Sequence, residues 1–76
     1  VAKAFKIKGT IHKVDINGGF WGITDSKDRD WLPVELDEDF KIDNLKIVAN
    51  IKKIDVMNNT MWGQTVEVVN MAKSNT

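Results

Sequence analysis

Asn17-Gly18-Gly19-Phe20-Trp21-Gly22-Ile23 places three glycines and two large aromatics within seven residues. Glycine permits tight turns and close backbone approach. Phe and Trp favour strands and bury large areas. The stretch therefore reads as a tight turn feeding a short, strongly curved strand. Asn-Gly is a strong hairpin signal, because a type I′ turn needs positive φ at both central residues. A curved strand entered through a hairpin points to a small closed β-barrel.

Outward from this stretch the strand pattern continues. Residues 3–16 carry one long strand signal, with Phe5, Ile7, Gly9 and Ile11 on one face. The parity shifts before Val14 and Ile16, which predicts a β-bulge or bend, with Gly9 as an alternative pivot. Residues 20–24 form the second strand and residues 25–30 a polar hairpin loop. The third strand, 31–36, sets Leu32, Val34 and Leu36 on one face and Trp31, Pro33 and Glu35 on the other. Pro33 cannot donate to a ladder, so it predicts an edge or bulge position.

Residues 37–43 break the alternation. Asp37 reads as an N-cap, with Glu38 and Asp39 complementing a helix N-terminus. One short helical turn is expected, with Phe40 plugging the barrel and Asn44 ending the turn in the left-handed region. The fourth strand, 45–56, alternates through Leu45, Ile47, Ala49 and Ile51, then shifts parity before Ile54. Met57-Asn58-Asn59-Thr60 is a turn. The fifth strand spans 61–71, with Trp62, Gln64, Val66 and Val68 in one set and Gly63 marking a bend. A polar tail is expected to fray from Lys73.

A chain of 76 residues supports one small domain with a thin core. It has no cysteine, so neither disulfides nor thiolate zinc can staple it. Eleven basic and eleven acidic residues give zero net charge, which argues against dedicated nonspecific nucleic-acid binding. The charges are nevertheless segregated. Lys3, Lys6, Lys8 and Lys13 precede any acid, whereas Glu35, Asp37, Glu38, Asp39 and Asp43 crowd a later stretch. No apolar run is long enough for a transmembrane helix, and no signal peptide is visible. The expected location is soluble, with the cytoplasm slightly favoured. The chain opens on Val1 and not Met, as expected after removal of an initiator or a longer leader.

Five strands, a bent first strand and a helical turn between the third and fourth resemble the OB-fold pattern. Within that class, Gly9-Thr10-Ile11 followed by Gly19-Phe20-Trp21-Gly22-Ile23-Thr24 resembles the opening of cold-shock domains. Their Lys-Gly-Phe-Gly-Phe-Ile motif stacks nucleic-acid bases. Here Trp21-Gly22 replaces Gly-Phe, which moves a large ring to the opposite face. Their second aromatic motif, Val-Phe-Val-His, gives way to Trp31-Leu32-Pro33-Val34. The segment from Leu32-Pro33-Val34-Glu35-Leu36 through Phe40 and Asp43-Asn44-Leu45-Lys46-Ile47 to Met61-Trp62-Gly63 also resembles small uncharacterised prokaryotic OB-like domains. Some of these sit in secreted or lipid-anchored proteins.

The alternation puts Trp21 with Ile23, toward the barrel interior, and Phe20 outward beside Trp31. The candidate site is thus a stacking platform of Phe20 and Trp31, flanked by Lys13, Lys27 and Arg29. The OB-fold resemblance implies a ligand on the face of strands two and three, most simply single-stranded nucleic acid. A protein partner is the alternative. His12 is the sole histidine and lacks a second His or a Cys to complete a metal site. The acidic run from Glu35 to Asp43 lacks the spacing of a calcium loop. Asp25, Asp28 and Asp30 read as hairpin-loop residues. There is no phosphate-binding glycine loop and no nucleophile elbow. No convergent titratable set marks an enzyme, and no cofactor or metal is implied.

Overall fold

The computed structural model describes residues 3–16, 18–55 and 62–74. Asn17, Val56 and Met61, and the turn expected at Met57-Asn58-Asn59-Thr60, lie outside the described residues, as do 75–76. Five strands form the domain: β1 (Phe5–Val14), β2 (Phe20–Asp25), β3 (Asp30–Pro33), β4 (Leu45–Lys53) and β5 (Gln64–Lys73). They close into a ring in the order β1-β2-β3-β5-β4. The β3–β5 pair is parallel and every other pair is antiparallel. The chain is therefore an all-β barrel, as its glycine-aromatic stretch predicts.

Alternation explains the core. Ile7 and Ile11 of β1, Ile23 of β2, Ile47, Ala49 and Ile51 of β4 and Val66 of β5 all point inward and are buried. Ile11, Ile23, Ile47, Ile51 and Val66 are fully buried, each contributing roughly 1.5–3 kcal/mol. Gly9 sits where β1 pairs with β2 and β4 at once. A Cβ there would lie 2.6 Å from the Thr24 carbonyl oxygen and 2.9 Å from the Asp25 Cα. Gly9 is thus a point where β1 and β2 approach so closely that a side chain is excluded. The β1–β2 ladder runs without a register shift through Val14, and the one irregularity in the β4–β5 ladder falls between Asn50 and Ile51.

The connection from β3 to β4 follows its residues closely. The Asp37 carboxylate accepts the Asp39 amide at 3.1 Å and caps a single 3-10 turn, Glu38–Phe40. Phe40 packs against the core from one end of the barrel. Asn44 has φ +67°, and its amide donates to the Ile11 carbonyl at 2.7 Å. At the C-terminus β5 runs through Lys73, and the Ser74 amide donates to the Lys46 carbonyl. Lys73 and Ser74, expected to fray, are therefore held to β4. Among the described residues no helix is long and apolar enough to cross a membrane.

Trp31 faces the opposite way from its sequence expectation. It pairs with inward-pointing Ile23 and is 3% exposed. Cross-strand partners share a face, so the pairing carries Trp31 inside and Leu32 outside. Pro33 follows Trp31 inward, and Val34 is exposed. The third strand is also shorter than expected, because the chain leaves the ladder after Pro33.

Candidate functional site

Burial of Trp31 has a polar cause. Its indole Nε1–H donates to Asp25 Oδ2 at 2.8 Å. The same oxygen accepts the Arg29 Nε–H at 2.7 Å, while Oδ1 accepts the Lys27 and Arg29 amides. Burial pushes the Asp25 carboxyl up, but the Arg29 amide, Trp31 indole, Lys27 amide and Arg29 guanidinium outweigh it and bring it from 3.8 down to about 2. Arg29 and Lys53 also lie against the Trp31 ring at 5.2 and 5.7 Å. Asp25 therefore ties the β2–β3 hairpin to the core, and Arg29 is engaged there.

The outer face of β1 and β2 holds a different aromatic group. Phe20, Gly22 and Thr24 alternate outward on β2, opposite Val14, His12 and Thr10 of β1. Gly22 leaves the space that the Trp62 ring occupies: a Cβ at Gly22 would collide with Cη2 and Cζ3 of Trp62. The Trp62 ring meets Phe20 edge-on at 5.4 Å and His12 edge-on at 5.9 Å. All three side chains are half-buried. Thr24 donates to Asp30 Oδ1 at 3.0 Å, and its single proton is then spent. His12 Nε2 lies 2.8 Å from Thr24 Oγ1, which, with its proton directed at Asp30, is left to accept. These hydrogen bonds hold the His12 ring against the outer face.

The five candidate residues are thus dispersed. Phe20 is on the outer face, whereas Lys13 pairs with Trp21 on the opposite face, its backbone amide held by Asp43 at 3.0 Å. Lys27 and Arg29 belong to the hairpin loop at the other end of β2, roughly 17 Å along the strand. Trp31 is in the core, so the Phe20–Trp31 platform does not form. Trp62 takes its place beside Phe20. Placing Trp62 in the fifth strand hid this role; the usable signal was a pair, an aromatic before β5 and a glycine in β2 whose missing side chain it could cover.

A second surface opens where β2 and β3 part. Trp21 points inward but stays half-exposed, lining a groove of about 1030 Å³ with Leu36, Phe40, Val68 and Met71. The expectation that Trp21 fills the barrel holds for its facing and not for full burial. Glu35, Asp37, Glu38 and Glu67 stand around this groove, with Lys41 the only cation lining it among the described residues. Among the described residues no group of three or more His, Asp or Glu is placed to hold a metal ion.

Compared with protein-family models, curated proteins and solved structures, the chain matches none.

Proposed function

We propose that this chain is a non-catalytic binding domain on a barrel of the OB type. Supporting the OB reading are the ring order, the single parallel β3–β5 pair and the capped turn between β3 and β4. The ligand face is the outside of β1 and β2, and the ligand is a single-stranded nucleic acid. The observation that carries this reading is the ring cluster of Phe20, His12 and Trp62 outside the core. Stacking one base on such a ring is worth about 1–3 kcal/mol and tolerates any base.

Zero net charge constrains how such binding works. Lys6 and Lys8 line the outward positions of β1, whereas Lys13 pairs with Trp21 and faces the other side. Asp30, bonded to Thr24, adds a negative charge to this face. Stacking must therefore supply most of the affinity. Each neutralised phosphate on a single strand steepens the salt dependence by about 0.7 in log–log slope. One or two contacts predict a slope no steeper than roughly −1.5. Titrating tryptophan fluorescence with octathymidylate at low and physiological salt tests this. Quenching that survives the higher salt supports the reading; no quenching at either salt overturns it.

The alternative, a protein-interaction module, is favoured by the groove between β2 and β3, which adjoins the aromatic face at Phe20.

A further inference from the structure

The ring is closed at one end and parted at the other. β2 has β3 partners only at Ile23 and Thr24. The Asp25 amide donates toward β3, to the Arg29 carbonyl. Backbone groups alternate along a strand, so the N–H and C=O of Trp21 face the same side, past the point where β3 has left. β5 repeats the situation. Val66 accepts the Val34 amide at 3.0 Å on its β3 side. Two residues on, Val68 presents its N–H and C=O to that side, where β3 has ended at Pro33. Two strand edges therefore border one groove, with the half-buried side chains of Trp21, Val68 and Met71 along it.

Charge narrows the occupant. Four carboxylates line the groove against one ammonium. Lys41 is held by Glu38 at 2.8 Å, and Lys52 reaches Glu67 only at 3.9 Å. Among the described residues neither Glu35 nor Asp37 forms an ion pair. Meanwhile Lys6, Lys8 and Lys46 are exposed at outward positions of β1 and β4. A neutral chain thus presents an acidic groove.

We infer that this parted seam is a docking slot for an extended peptide of a partner protein, with alternating apolar and basic residues, which adds as a strand against Val68 of β5 and Trp21 of β2. Main-chain pairing supplies affinity in such strand addition, and alternate side chains supply specificity. Here the apolar set meets Trp21, Leu36 and Met71, and the basic set meets Glu35 and Glu67. The slot meets the Phe20–Trp62 face at Phe20, but its strand edges at Trp21 and Val68 are its own, so either reading can fail without the other.

The test uses the whole chain and the capped peptide Lys-Val-Lys-Val-Lys-Val, followed by amide-resolved NMR. Expected are shifts centred on Trp21 and Val68, slowed exchange of their amides, and affinity about tenfold or more weaker for the peptide N-methylated on alternate residues. The peptide Glu-Val-Glu-Val-Glu-Val should not bind the native chain. A Glu35→Lys/Glu67→Lys variant with a native-like spectrum should reverse that preference. Equal affinity for the N-methylated peptide overturns the proposal, and so does a response confined to His12, Phe20 and Trp62. No response at millimolar peptide overturns it as well. So does seam shifting with protein concentration alone, which identifies a second copy as the occupant.

Discussion

The Trp62 ring rests on Gly22, in the space a Cβ would fill. This contact holds the indole between His12 and Phe20 and makes the outer face aromatic. Gly22→Ala would collide with the far end of a side chain and not with backbone, so the sheet should persist while Trp62 is displaced. Expected are an unchanged far-UV spectrum, altered tryptophan emission and a stability loss below about 1 kcal/mol. A large stability loss with unchanged emission would contradict the contact.

Gly9→Ala should behave in the opposite way. Its Cβ would meet the Thr24 carbonyl and the Asp25 Cα, both backbone. β2 cannot yield without disturbing its ladder to β1, so the expected cost is about 1–3 kcal/mol. Denaturant unfolding measures it, and a neutral result would mean β1 and β2 approach less closely.

Asp25 sets an acid limit on stability. Its carboxyl titrates near 2 when folded and near 3.8 in a free chain. Such a depressed group contributes stability that is fully present above about 3.8 and is lost as pH falls toward about 2. Asp25→Asn places an NH₂ against N–H donors and leaves at least one of them unsatisfied, at about 1–3 kcal/mol. Thermal unfolding should then show a lower Tm at neutral pH and less further loss between pH 4 and 2. The same acid limb in both proteins would remove Asp25 as its cause.

The tryptophans should rank by burial. Trp31→Ala removes a 3% exposed ring and orphans its bond to Asp25, at about 3–5 kcal/mol. Trp21→Ala removes a half-buried ring from the groove and should cost less. Chemical denaturation of both variants measures the order, and the reverse order would contradict the facing of β3.

Local chemistry made much of this fold legible. Asp37 caps its turn, Asn44 takes positive φ, and Gly18 and Gly19 have φ of +91° and +93°, all for reasons carried within a few residues. Alternation located the inward residues of β1 and β4. Trp31 was illegible because its facing depends on the pairing with Ile23 and on a carboxylate six residues earlier. Trp62 was illegible because its partner Gly22 lies forty residues away in sequence. Phe20 kept its predicted outward position, but the ring beside it came from the segment before β5 and not from β3.

The three indoles report three surfaces: Trp62 the outer face, Trp21 the seam and Trp31 the core. Their Nε1–H resonances therefore test the ligand face most directly. Octathymidylate added to the folded chain should shift the Trp62 signal and leave the Trp31 signal, held by Asp25, in place. Phe20→Ala should remove most of that response, consistent with about 1–3 kcal/mol of stacking. A silent Trp62 signal at saturating oligonucleotide, or one that shifts equally in Phe20→Ala, would contradict the assignment of this face.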